Sequence, residues 1–181
     1  MMLRYILGGA VVAAAVLASP MSARAQQTSD AQYIAMMKQA APAAVVQNAT
    51  IVQMQNGTTR TVQTGTNGFT CMALDPKTPM CADKNAMAWA QALMTHATPP
   101  SSVGFVYMLA GDDGASNTNP YDRAATANNH WVTTGPHVMI VGGSVGSMGY
   151  PAAADADPTK PFVMWANTPY AHLMIPVTST P

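Results

Sequence analysis

The chain contains no glutamate: all eight of its acidic residues are aspartates. That excludes every mechanism or metal motif built on Glu, including the zinc-protease helix motif and the bidentate residue that closes an EF-hand loop. Charged residues amount to only 9%, against about 25% in ordinary domains. No basic run is present to draw in nucleic acid or an anionic lipid surface, so neither is an expected partner. There is no internal repeat and no heptad pattern. Outside the N-terminus no apolar run approaches the roughly 20 residues needed to cross a bilayer. Hydrophobic residues nevertheless make up 49% of the chain, which supports a packed core rather than disorder.

The N-terminus carries the three parts of an export signal in order. Met1 to Arg4 are a short basic start, Tyr5 to Ala18 an uncharged, mostly apolar run, and Ala23-Arg24-Ala25 a small-x-small cleavage pattern after Pro20. The expected organisation is a cleaved signal peptide over residues 1–25, followed by a single globular domain over 26–181. The expected location is periplasmic or secreted. No cysteine follows the cleavage point, so a lipid anchor is not expected, nor is any membrane association after cleavage. Losing Arg4 and Arg24 leaves six basic residues against eight acidic ones.

The two cysteines, Cys71 and Cys81, are separated by nine residues. The spacing is not C-x-x-C, and an even cysteine count in an exported chain reads as a disulfide. A loop this short is worth about 2–3 kcal/mol in the chain-entropy model.

Periodicity supplies the elements. Asp30 caps a first helix through Ile34, Met37 and Ala41, which Pro42 stops. Val45 to Gln55 and Thr58 to Thr64 read as strands joined by Asn56-Gly57, a type I′ hairpin turn. Phe69 to Met72 read as a further strand. Asp83 caps a second helix with Ala86, Met87, Ala90, Leu93, Met94 and Ala97 on one face, ended by Pro99-Pro100. The disulfide is expected to tie a strand end to the start of this helix. Strands follow over Val103 to Ala110, within Trp131 to Val141, over Phe162 to Trp165 and over Leu173 to Val177. The expected fold is α+β: a largely antiparallel sheet of about five or six strands with two packed helices. Two connections, Gly111 to Asn129 and Gly142 to Pro161, are unusually long, and loops of that length inside a compact domain are often functional. Because they flank the same candidate strand, they are expected to lie near one another.

Four constellations bear on chemistry. Gly142-Gly143-Ser144-Val145-Gly146 fits the G-x-S-x-G elbow of serine hydrolases, with Asp155 or Asp157 and then His172 following in that order. The motif needs a helix after the elbow, and Ser147-Met148-Gly149-Tyr150-Pro151 is loop material. Secondly, His137-Val138-Met139 and His172-Leu173-Met174 repeat the form His-x-Met, and Met94-Thr95-His96 reverses it. Residues i and i+2 of a strand share a face. His137, Met139, His172 and Met174 thus form a candidate metal set whose soft ligands suit copper as Cu(I); methionine as ordinary core filler is the competing explanation. Thirdly, Asp112 to Asp122 concentrate oxygen ligands without an EF-hand pattern; the same residues are what turns need. Fourthly, Trp89, Trp131, Trp165 and Tyr170 either line a pocket or are buried aromatic anchors.

Three longer stretches, Thr66 to Met72, Trp131 to Met139 and Tyr170 to Val177, resemble a family of exported proteobacterial proteins to which no activity is assigned. The resemblance implies export and transfers no catalytic or ligand role. With no Glu and no intact catalytic motif, the favoured expectation is an exported, small, soluble, non-catalytic binding or accessory domain. Its ligand, or protein partner, would be held near the two long loops. A periplasmic copper-binding protein and a secreted serine hydrolase are the alternatives.

Overall fold

The computed structural model describes residues 30–55, 57–75, 77–143 and 145–177. Helix α1 (30–37) opens this range, followed by the short helix α2 (Ala43–Val46). An eight-stranded sheet is built from β1 (Thr50–Gln55), β2 (Thr58–Gln63), β3 (Thr70–Ala73), β4 (Pro79–Ala82), β5 (Gly104–Met108), β8 (His137–Val141), β9 (Phe162–Met164) and β10 (His172–Pro176). Helix α3 (Lys84–Met94) lies between β4 and β5. The ribbon of β6 (Ala115–Ser116) and β7 (Trp131–Val132) stands apart. Strand order is β2-β1-β3-β4-β5-β8-β10-β9, and only the β1–β3 pair is parallel. Mixed α and β with a mostly antiparallel sheet therefore matches the sequence pattern. Among the described residues, no helix is long and apolar enough to cross a membrane.

The expectation of a sheet of five or six strands with two helices is corrected to a sheet of eight strands and three helices among the described residues. One added strand is β4, hidden inside the short cysteine-to-cysteine segment. Pro79 is its first residue, a place where a strand tolerates proline. The disulfide does join Cys71 to Cys81. It links two directly paired strand residues, not a strand end to a helix start. The predicted strand from Val45 begins only at Thr50, because Ala43–Val46 form a helical turn: the carbonyl of Pro42 accepts from Val45 and Val46 at 2.8 and 3.1 Å. Burying Val46 in the core overrides its β preference. Gly135-Pro136 likewise splits the predicted strand from Trp131 into β7 and β8. The turn residue Asn56 lies outside the described residues.

The two sheet faces have different covers. Paired residues of adjacent strands point the same way. Ile51, Cys71 and Cys81 share the face on which Met37 at the end of α1, Ala40 in the turn after it and Val46 of α2 are buried. Ala82, Val106 and Val141 share the other face, beneath Ala86 and Trp89 of α3. Asp83 caps α3 by accepting from the Ala86 amide at 2.8 Å. Gly104 lets α3 cross β5 closely: a Cβ there would stand 2.3 Å from the Ala86 nitrogen.

Candidate functional site

The two long loops meet, as expected from their shared flanking strand. Asn117 in the first donates from Nδ2 to the carbonyls of Ala153 and Ala154 in the second, at 3.0 and 2.7 Å. His130 Nδ1 lies 2.7 Å from Asp155 Oδ1. The first loop also grips the turn between β9 and β10. Ser116 O accepts from Trp165 Nε1 at 2.7 Å, and Asn117 O accepts from the Trp165 amide at 2.9 Å. Trp165 and Asn167 both have positive φ, 55° and 65°. For a bulky residue such as tryptophan that conformation costs of order 1–3 kcal/mol and persists only where its surroundings impose it.

Between the second loop and this turn lies a groove of about 340 Å³, lined by Gly142, Gly143, Gly146, Ala152, Val163 and Ala166 and closed by Asn167 to Pro169 and Ala171. A second space of about 90 Å³, lined by Asn117 and Thr118, shares Ala152, Ala166 and Asn167 with it. No lining residue of either space carries an ionisable side chain. Main chain, the carboxamides of Asn117 and Asn167, the hydroxyls of Thr118 and Thr168 and small apolar groups are what the walls offer. A hollow of about 470 Å³ between Pro136, Pro158 and Pro176 is larger but shallower.

The predicted metal set lies on one face of the sheet. Met139 and Met174 are directly paired, with His137 two positions away on β8 and His172 two positions away on β10. The register runs diagonally, however. His137 pairs with Pro176 and His172 with Val141, so the two histidines stand four positions apart in register, with backbones roughly 13 Å apart along the strands. The four residues share a face without sharing a centre. His172 packs edge-on against Trp165 and Trp89, with ring centroids 4.7 and 5.4 Å away. Its Nδ1 is 3.1 Å from Tyr170 O, and burial pushes its pKa down to about 4. His137, fully buried, donates from Nδ1 to Gly135 O at 2.8 Å and has Asp112 Oδ2 3.9 Å from Nε2. Burial holds the His137 pKa below, and the Asp112 pKa above, the ordinary values.

The hydrolase arrangement does not assemble among the described residues. Asp155 is paired with His130, and Asp157 with Thr159 and Lys160, so neither orients His172. A 3-10 turn over Val145–Ser147 follows the motif where a helix would be needed, and Ser144 itself lies outside the described residues. The carboxylates of the aspartate-rich loop have partners within the protein. Asp112 Oδ1 accepts from the amides of Gly114 and Thr134, Asp122 accepts from Asn119, and Asp113 pairs with Lys77. Trp89, Trp165 and Tyr170 form a packed aromatic cluster with His172, while Trp131 stands apart beside Gly114. These rings are anchors.

Sequence reasoning placed Asn117 in the aspartate-rich loop only as an oxygen ligand, and gave Asn167 no role. Asparagine in a turn-rich loop carries no mark of a long-range clamp. Fold and groove together define a mixed α and β domain with an uncharged cleft built from stitched loops. Comparisons with protein-family models, curated proteins and solved structures give no match for this chain.

Proposed function

We propose that the chain is an exported, non-catalytic binding domain that holds a small, uncharged, hydrogen-bonding ligand in the groove between its long loops. The observation that carries this reading is the pair of Asn117 bonds to Ala153 and Ala154, which fix the loops as walls before any ligand arrives. Preorganised walls lower the entropic cost of binding, and the volume of about 340 Å³ falls within the usual range for small-molecule sites. The lack of ionisable lining residues favours neutral ligands and offers no general acid or base.

The test is a thermal-shift screen of neutral polyols, saccharides and N- and C-capped dipeptides, followed by calorimetry on hits. A saturable rise in Tm without turnover is expected. Gly146→Leu provides the control: Gly146 lines the groove, and a Cβ there meets nothing within 4 Å, so bulk is added at the wall without a clash. This variant should melt like the parent and lose binding. Binding unchanged in Gly146→Leu, or ligand consumption, would overturn the reading, as would a screen in which no neutral ligand binds.

A further inference from the structure

The unpartnered nitrogen of His137 marks a second site, independent of the groove. A carbonyl accepts only from an N–H, so the 2.8 Å contact to Gly135 O places the ring proton on Nδ1. Nε2 is left with a lone pair, buried and without a hydrogen-bond partner. The group facing it is Asp112 Oδ2, 3.9 Å away, too far for a hydrogen bond. The other Asp112 oxygen already accepts from two amides at 2.9 Å. Two lone-pair donors thus face one another across a gap that a cation, at about 2 Å from each, would nearly span.

The register supplies further ligands. Met108 on β5 is directly opposite His137, and Met139 lies two positions along β8 on the same face. Among the described residues, no group of three or more His, Cys, Asp or Glu stands together to hold a metal; the sulfur-bearing side chains that the register places next to His137 are thioethers. Imidazole with thioether selects a soft ion over zinc or calcium. We propose that His137, Met108 and Met139 form a site for one Cu(I) ion, with Asp112 balancing its charge. This set replaces the two-histidine set read from the His-x-Met repeats: it keeps His137 and Met139, adds Met108, and leaves His172 to the aromatic cluster.

The experiment titrates the full chain, disulfide intact and under anaerobic conditions, with Cu(I) against a chromophoric chelator. One Cu(I) per chain is expected. Met108→Leu/Met139→Leu keeps volume and removes both sulfurs. It should weaken affinity by about tenfold or more at an unchanged Tm. Met164→Leu, on the same face beside His172, should bind as the parent does. X-ray absorption of the parent should show sulfur together with nitrogen around copper, a readout that stands even if the double variant fails to fold. The proposal is overturned if a weak chelator strips the copper, if the double variant binds equally well, if no sulfur scatterer is seen, or if Zn(II) binds as tightly as Cu(I).

Discussion

Asn117 and Ala154, 37 residues apart in sequence, are joined by a hydrogen bond of 2.7 Å from the Asn117 carboxamide to the Ala154 carbonyl. The same nitrogen reaches Ala153 O, and Asn117 is 3% exposed. Asn117→Ala leaves those carbonyls short of a donor and should cost about 1–3 kcal/mol in urea denaturation. Hydrogen exchange should rise first around residues 151–156. Asn117→Asp should be worse than alanine at neutral pH, because a carboxylate would face two carbonyl oxygens. An aspartate variant as stable as the parent would show that the clamp is not built this way.

A second prediction concerns pH. His172 is held at about 4 by burial, against an ordinary 6.5. Between those values the unfolded chain binds the proton and the folded chain does not, so stability falls as pH drops from 6.5 towards 4 and levels off below it. The full effect is about 3 kcal/mol. His137, also shifted down by burial, acts in the same direction. Asp112, shifted up by burial, opposes it, since its folded form prefers the proton. Urea melts between pH 7.5 and pH 4 should therefore show a net loss, reduced in His172→Phe. A flat profile would contradict the buried, neutral imidazole.

The third prediction tests how closely α3 lies on β5. In Gly104→Ala the new methyl meets backbone of Ala86, at 2.3 Å from the nitrogen, so the helix must shift. The expected loss is about 1–3 kcal/mol, the usual cost of overpacking. Gly135→Ala, where nothing lies within 4 Å, should change stability by less than about 0.5 kcal/mol. Equal melting of the two variants would mean that α3 sits further from the sheet.

Local chemistry was legible in the sequence; long-range geometry was not. The Asp83 cap and the helix it starts are where the cap pattern puts them, because capping depends on residues three positions apart. The inner face of that helix was read less well. Trp89 and Ala92 are buried while Met94 is 65% exposed, since the aromatic cluster with Trp165 and Tyr170 decides which side faces inward. The cysteine pair was visible, but the strand pairing across it was not, because proline there reads as a breaker and its position at the start of β4 is a tertiary fact. The two His-x-Met units were visible as a repeat. Only the antiparallel register of β8 and β10 shows that one repeat runs against the other and carries the histidines apart.

The Cys71–Cys81 bond joins two strands in the middle of the sheet, and both residues are fully buried in the core cluster that includes Met37 and Ala40. Oxidants and thiol reductants act on sulfurs they can touch. The bond can therefore form or break only when the end of α1 and the turn after it are lifted off the sulfurs. Once that segment is seated, the same packing shields the bond from small reductants, and its lifetime is set by how often this part of the fold opens.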